Sequence, residues 1–271
     1  MLGQAKRLYE LNSLLHPEVK SKRECKIFAV TSGKGGTGKS FIASNMALKM
    51  AKSSSRVLLV DLDINLANQN VLFNISSKKN LYNYLTYNQS LEDIIYPYSE
   101  NLHLIFGESG KIDHPKLNED KVNMLISDLK AIADNYDVII FDTASGIENG
   151  TLQVLLKSDE IIIVTSPEPT SVMDAYVIFK LLKSYNSEVR KNVIVNKCFN
   201  KNEAQEAFEN LEKATKHFLK SDIFFLGELS FSEEVVKSIH NQAPLMLSEN
   251  SPQIAAQIEN ISSKLRIPTN G

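Results

Sequence analysis

One short segment, residues 32–40, limits more than any other what this chain can fold into. It reads SGKGGTGKS, and from Gly33 its spacing is G-x-x-x-x-G-K-S, the pattern of a phosphate-binding loop. The largely apolar residues 26–31 before it are typical of a buried strand, whereas residues 41–52 repeat their apolar side chains with helical period. A glycine-rich turn between strand and helix gathers backbone N–H groups and the positive end of the helix dipole, which favours an anion. The segment therefore predicts a nucleotide site at the start of a helix.

Lys39 and Ser40 carry the most direct chemistry in this loop. We expect the Lys39 ammonium to pair with the β and γ phosphates and the Ser40 hydroxyl to ligate Mg²⁺. The glycines between them and Ser32 let the backbone approach the anion without clashes.

Beyond the loop, strand-like and helix-like patterns alternate, which predicts an α/β fold with a doubly wound, mostly parallel sheet and helices on both faces. The predicted strands span residues 26–32, 56–61, 102–106, 137–142, 160–165, 192–196 and 223–226. We expect one domain over residues 25–271 and, before it, an N-terminal arm, residues 1–24, with a short helix.

The composition excludes several function classes. Thirty Lys and Arg against 32 Asp and Glu give a net charge of −2, so no basic field argues for nucleic acid. The sequence shows neither a signal peptide nor the apolar run of about 18 residues that a membrane span needs. Two cysteines fit a reducing compartment, and they cannot supply the thiolates of an iron–sulfur cluster, even one shared by two subunits, unless both ligate from the same face. We expect a cytoplasmic protein whose membrane contact, if any, is peripheral.

Three aspartates stand at the ends of predicted strands. Asp61 and Asp63 follow the strand that begins at Arg56, and Asp142 follows the apolar residues 138–141. Because the carboxyl ends of parallel strands share one edge of the sheet, these carboxylates should lie beside the phosphate-binding loop, where Mg²⁺ needs oxygen ligands. Each aspartate alone is equally typical of a turn or a helix cap, so both interpretations stay open at single positions.

Lys34, directly after the first glycine, completes the string KGGTGKS, which resembles the deviant phosphate-binding loop of the MinD/ParA group of ATPases. The resemblance runs from about Lys26 to the end of the chain. It implies an ATP-dependent homodimer in which Lys34 reaches the nucleotide of the other subunit. It also implies that Asp61 and Asp142 support Mg²⁺ and that Asp63 orients the attacking water, with Lys34 and Lys39 neutralising charge.

The same resemblance implies the contacts with ATP or ADP. Asn196 matches an asparagine that recognises adenine, although an asparagine at a strand end is also a common turn residue. Glu168 matches a candidate contact across the dimer. The expected nucleotide-binding residues are Gly33, Lys34, Gly35, Gly36, Thr37, Gly38, Lys39, Ser40, Phe41, Glu168, Asn196 and Lys197.

Three further strings favour one branch of the family. Residues 63–68, DINLAN, resemble MinD-type proteins more than plasmid-partitioning ones. Residues 142–147, DTASGI, resemble the switch II of MinD-type proteins but carry Ala-Ser in place of Pro-Ala. Residues 167–176, PEPTSVMDAY, resemble the flagellar-number regulators of the FlhG (FleN) branch. Local chemistry also explains part of this last string, because Ser171 and Asp174 can form a capping box.

The arm carries a partial match to the same branch. Residues 4–8, QAKRL, resemble a D-Q-A-x-x-L-R motif that stimulates the GTPase FlhF, with Gly3 replacing the aspartate and Tyr9 the arginine. The resemblance implies Gln4 as the partner-activating residue. The partners it implies are FlhF, flagellar C-ring proteins and, in some bacteria, a flagellar transcription regulator.

The leading hypothesis is thus a slow, Mg²⁺-dependent ATPase switch that regulates flagellar number and placement. A MinD-type division-site ATPase and a nucleotide-gated scaffold with negligible hydrolysis remain as alternatives. A helical stripe of Ile254, Ile258, Ile261 and Leu265 is poor in cations on its polar side, so we expect it to pack in the core and not to bind a membrane.

Overall fold

A mostly parallel sheet of eight strands forms the centre of the described part of the protein. The computed structural model describes residues 24–64, 67–87, 89–110, 115–248 and 251–267. The spatial order is β3-β4-β2-β5-β1-β6-β7-β8, and every neighbouring pair is parallel except β3 with β4. The strands are Lys26–Thr31 (β1), Val57–Asp61 (β2), Tyr96–Pro97 (β3), Leu102–Ile105 (β4), Val138–Asp142 (β5), Glu160–Thr165 (β6), Arg190–Cys198 (β7) and Phe224–Ser230 (β8).

Helices cover both faces of the sheet. A π-helix spans Thr215–Leu219, and 3₁₀ turns span Ala133–Asn135 and Leu245–Leu247. The α-helices are Lys39–Lys52 (α1), Gln69–Leu72 (α2), Leu81–Tyr87 (α3), Leu91–Ile94 (α4), Glu119–Ala131 (α5), Asn149–Leu156 (α6), Pro169–Ser184 (α7), Lys201–Ala214 (α8), Glu233–His240 (α9) and Pro252–Ser263 (α10).

Two hydrophobic cores lie on opposite faces of this sheet. Along β1, Ile27 and Ala29 belong to one core, and Phe28 and Val30 belong to the other. A strand covered on both faces buries consecutive residues, which is why the strands read as continuous apolar runs. The same arrangement brings the carboxyl ends of β1, β2, β5, β6 and β7 to one edge, where the site forms.

The C-terminal stripe packs as the sequence predicts. Ile254, Ile258, Ile261 and Leu265 are at most 6% exposed and join the core that α1 covers. Within the described residues, no helix combines the length and apolarity needed to cross a membrane.

The structure confirms the predicted fold class and all seven predicted strands, six of them with shifted ends and Glu160–Thr165 with the predicted ends. It adds β3, and it extends β7 and β8 beyond their predicted bounds. The predicted capping box of Ser171 and Asp174 is wrong. Helix α7 begins at Pro169 after Glu168, and the Ser171 hydroxyl instead accepts a hydrogen bond from the Ser166 N–H at 3.0 Å. The predicted arm helix and Gln4 lie outside the described residues.

Replacing Ile258 by alanine should destabilise the protein. Ile258 is fully buried, so the substitution leaves a cavity and should lower the free energy of unfolding by about 2–5 kcal/mol. Val236→Ala, at a side chain that is 51% exposed, is the control and should change it by less than about 0.5 kcal/mol. Urea denaturation measures both, and equal effects would contradict the packing of α10.

Candidate nucleotide site

The phosphate-binding loop joins β1 to α1 at the centre of the sheet edge. Gly38, the residue before α1, has φ +91°, a left-handed conformation that glycine adopts without strain. Gly33 is required for another reason, because a Cβ at this position would lie 2.6 Å from the backbone of Asp174 in α7. The loop therefore depends on glycine both for its turn and for the close approach of α7.

Lys39 and Asp142 form a buried ion pair beneath the loop. Lys39 Nζ lies 2.8 Å from Asp142 Oδ1, and the two side chains are 7% and 1% exposed. The same ammonium lies 3.4 Å from the Ser40 hydroxyl. The first turn of α1 and the end of β5 are thus joined through the residues expected to bind phosphate and to support Mg²⁺.

Asp61 organises the loop that carries Asp63. Its Oδ1 accepts the Asp63 N–H, and its Oδ2 accepts the N–H groups of Asn68 and Gln69, all at 3.0 Å. Burial, together with the nearby carboxylate of Asp142, raises the pKa of Asp61 to about 7, against the lowering effect of these N–H groups. The turn interpretation of this aspartate therefore holds, because its carboxylate accepts the N–H two residues later, and a role in supporting Mg²⁺ would use its remaining lone pairs.

Gln69 is a site residue that the sequence motifs do not predict. It is 1% exposed, and its Nε2 donates to Asp142 Oδ2 at 2.8 Å and to the Ser40 carbonyl at 3.1 Å. The matched string ends at Asn68, one residue earlier, and nothing in the local sequence distinguishes a buried amide here from an exposed one.

Two side chains at the end of β7 hold the loop from the other side. Asn196 Nδ2 donates to the Thr37 carbonyl at 2.7 Å, and Lys197 Nζ donates to the Gly36 carbonyl at 2.7 Å. Lys197 adopts φ +61°, which is uncommon outside glycine. In this position the Asn196 amide braces the loop and retains one further N–H and one lone pair for a ligand.

Lys34 and Glu168 lie at the exposed rim. Lys34 Nζ is 3.2 Å from Glu168 Oε2 of the same chain, and the two side chains are 47% and 64% exposed. Their ion pair links the loop to the start of α7.

A cleft of about 340 Å³ opens above the loop. Its lining contains Asp63, Lys197 and seven predicted loop residues, whereas Gly33, Lys34, Asp61, Asp142, Glu168 and Asn196 lie outside the lining. Six lining residues are not among the predicted binding residues: Ser32, Asn68, Val71, Leu72, Ser145 and Ile239. The cleft is lined by Ser32, Gly35, Gly36, Thr37, Gly38, Lys39, Ser40, Phe41, Asp63, Asn68, Val71, Leu72, Ser145, Lys197 and Ile239.

The donor groups of this cleft fit a nucleotide with Mg²⁺. In the loop, the Thr37 hydroxyl is buried with no hydrogen-bond partner among the described residues, so this donor remains for a phosphate oxygen. Those same described residues hold no group of three or more His, Cys, Asp and Glu side chains that could bind a metal alone. Mg²⁺ at nucleotide sites takes only one or two protein ligands beside phosphates and water, so Ser40 and the two buried aspartates suffice.

A family model described as "ParA: NUBPL iron-transfer P-loop NTPase" matches residues 24–266. The chain belongs to the ParA family of P-loop NTPases. The predicted MinD/ParA resemblance is thereby confirmed.

Relatives within the family cover most of the chain. Antiactivator FleN of Pseudomonas aeruginosa is 32% identical over 82% of this chain and 79% of its own. The flagellum site-determining protein YlxH of Helicobacter pylori is 30% identical over 98% of this chain and 90% of its own. The septum site-determining protein MinD of Pyrococcus horikoshii, solved with Mg-ADP, has TM-score 0.75 at 21% identity, covering 89% of this chain and 96% of that one. This last likeness shows the fold.

The cysteines of this ParA-family chain do not form a paired iron site. Cys25 directly precedes β1, at the amino end of the sheet, and Cys198 ends β7 at the opposite edge. Burial raises the pKa of each thiol to about 12, which disfavours the thiolate that binds metals.

Gly38→Ala should weaken nucleotide binding. An added Cβ would lie 2.2 Å from Asn196 Nδ2, so the amide must leave the Thr37 carbonyl, and the left-handed backbone is strained as well. We expect at least about tenfold weaker binding of a fluorescent ATP analogue, the equivalent of about 1.4 kcal/mol.

Gly110→Ala is the matched control, because Gly110 has φ +80° with no atom within 4 Å of an added Cβ. This substitution strains a left-handed backbone but causes no steric clash, so the affinity for the ATP analogue should stay unchanged. Equal losses in the two variants would show that the contact with Asn196 does not shape the loop.

Proposed function

We propose that this ParA-family protein is an ATP-dependent dimerising switch that hydrolyses ATP slowly and regulates flagellar number and placement. The observation that carries the proposal is the exposed Lys34 at the rim of a complete phosphate-binding cleft, in a chain 30–32% identical to FleN and YlxH.

Nucleotide binding is assigned to the loop and its braces. The residues from Gly33 to Phe41 hold the phosphates, and Asn196 and Lys197 keep the loop in shape while facing the base. Ser40 would ligate Mg²⁺, with Asp142 and Asp61 supporting it from beneath. When bound, Mg²⁺ supplies charge that stabilises the phosphoryl oxygens.

Hydrolysis is assigned to Asp63, whose loop is positioned by Asp61. A carboxylate that orients water in line with the terminal phosphate, together with Lys34 and Lys39 as counter-charges, is sufficient for phosphoryl transfer, since this reaction depends on positioning and charge. The buried, hydrogen-bonded setting of Asp61 holds the Asp63 backbone in place before any ligand arrives.

Dimerisation is assigned to Lys34. Within one chain it pairs with Glu168, and at these exposures such a pair contributes roughly 0–1 kcal/mol. Lys34 can therefore leave Glu168 at little cost and reach the second subunit, while Glu168 becomes available to the partner as well. ATP would favour the dimer and hydrolysis would return the monomer.

The flagellar assignment rests on the relatives. FleN and YlxH are named as an antiactivator and a flagellum site-determining protein. Residues 167–176, PEPTSVMDAY, resemble the same branch. A division-site role of the MinD type is less well supported, because residues 167–176 and the arm resemble the flagellar branch more than MinD itself.

Asp63→Ala and Lys34→Ala should separate hydrolysis from dimerisation. Asp63→Ala should bind ATP, lower the turnover about 100-fold or more and accumulate as a dimer in light scattering. Lys34→Ala should bind ATP as a monomer, because the other loop residues still hold the phosphates whereas the contact across the interface is lost.

Asp222→Ala, at an exposed aspartate remote from the cleft, is the control and should resemble the wild type. Single-turnover measurements distinguish a switch from a scaffold, since a scaffold would show no hydrolysis in the wild type. Undiminished turnover by Asp63→Ala would remove that residue from the mechanism.

The arm, residues 1–24, is proposed to stimulate the GTPase FlhF through Gln4, whose side-chain amide can orient water or nucleotide in the partner's site. C-ring proteins and, in some bacteria, a flagellar transcription regulator would recognise the nucleotide-dependent dimer. The whole switch would act in the cytoplasm, with membrane contact at most peripheral.

Gln4→Ala should abolish the stimulation of FlhF GTP turnover, while leaving the protein's own ATP binding unchanged. Asn12→Ala, which removes another amide from the same arm, is the matched control and should stimulate like the wild type. Full stimulation by the Gln4 variant would contradict the assignment.

A further inference from the structure

Gln69 connects three parts of the site through one side chain. It is the first residue of α2, and its Nε2 donates to Asp142 Oδ2 at the end of β5 and to the Ser40 carbonyl in α1. Its backbone N–H donates to Asp61 Oδ2 at the end of β2. The residue therefore contacts both buried aspartates and the loop helix at once.

The contacts with Asp142 fix the orientation of its carboxylate. Lys39 occupies Oδ1 at 2.8 Å, and Gln69 occupies Oδ2 at 2.8 Å, so rotation of the carboxylate would break a bond at either end. The side chains of Lys39, Gln69 and Asp142 are all buried, which leaves no bulk water to replace a lost donor.

The contacts with Asp61 link the fixed Asp142 carboxylate to the loop that carries Asp63. Asp61 binds the N–H of Asp63 with one oxygen and the N–H of Gln69 with the other. Both ends of residues 63–69 thus bind the Asp61 carboxylate through backbone N–H groups. The side-chain amide of Gln69 then contacts Asp142 and the Ser40 carbonyl. A shift of this segment would move Asp63 and disturb Asp142 together.

The environment of the Gln69 carbonyl indicates that this side chain does not serve packing alone. Gln69 Oε1 is buried without a hydrogen-bond partner among the described residues, an arrangement that destabilises the fold relative to an apolar side chain of similar size. A lysine would add a charge and a glutamate would repel both aspartates, so a neutral donor is the group that suits this position.

We infer that Gln69 is a positioning residue of the Mg²⁺–nucleotide site: its amide fixes the Asp142 carboxylate and couples the loop carrying Asp63 to the phosphate-binding loop. The inference rests on the proposed function, since it assigns Asp142 to the support of Mg²⁺. Gln69 acts through Asp142 and Asp61 and does not itself react.

Gln69→Met tests this, because methionine keeps the length and volume of glutamine but cannot donate. Binding of a fluorescent ATP analogue is measured in EDTA and across a Mg²⁺ titration. We expect affinity in EDTA within twofold of the wild type and about a tenfold increase in the Mg²⁺ concentration needed for half-maximal enhancement, as for other residues that orient metal-supporting groups. At saturating Mg²⁺, the KM for ATP should recover whereas kcat should stay low, because the Asp142 carboxylate is no longer held in one orientation and the loop carrying Asp63 has lost its side-chain link to Asp142 and Ser40.

Asn192→Leu is the matched control. Asn192 is also a fully buried amide on a carboxylate, with Nδ2 2.7 Å from Glu160 Oε2, but it lies at the opposite end of the sheet. It should lower stability without shifting the Mg²⁺ titration. Gln69→Asn, whose amide is one methylene too short, provides a second variant if the methionine protein does not fold, and the same shift is expected.

The outcomes separate the two claims. Wild-type protein that binds the ATP analogue without any effect of Mg²⁺ would overturn the proposed function and this inference with it. Wild-type protein that responds to Mg²⁺, with Gln69 variants that respond identically or lose affinity equally in EDTA, would overturn the inference alone.

Discussion

The ion pair between Lys39 and Asp142 joins the start of α1 to the end of β5 in a place almost out of reach of water. Removing one partner of such a pair leaves a buried charge and typically costs about 3–5 kcal/mol. The surrounding groups keep both members of this ion pair paired and hydrogen-bonded. Gln69 satisfies the second oxygen of Asp142, and the loop glycines let α1 begin directly above the pair. The geometry of the cleft therefore follows from how one buried cation is neutralised.

Much of the fold could be predicted from the sequence because parallel strands buried on both faces leave a strong local signal. Strand β3 could not, since Tyr96–Pro97 pairs over two residues and owes its conformation to β4. The capping box failed for a similar reason. The spacing of Ser171 and Asp174 is correct for a cap, but Pro169 is able to start the helix earlier, and the Ser171 hydroxyl is then used to hold the end of β6.

The site residues that could be predicted from the sequence are those that belong to a contiguous sequence motif. The loop residues, Asp63 and Lys197 meet at one cleft because topology brings strand ends together. The ion pair of Lys34 with Glu168 joins two strings that are 134 residues apart, and the sequence alone gave no indication that they meet within one chain. Gln69 was missed because its importance comes from burial, which depends on the packing of α2 and leaves no local pattern.

The two braces from the end of β7 have a consequence for affinity. Asn196 and Lys197 hold the Thr37 and Gly36 carbonyls by hydrogen bonds within the protein, and Lys197 accepts a left-handed backbone to do so. The conformational entropy of the loop is thus lost during folding and not during association. A ligand that enters the cleft meets a rigid receptor, and more of its contact energy remains as binding free energy.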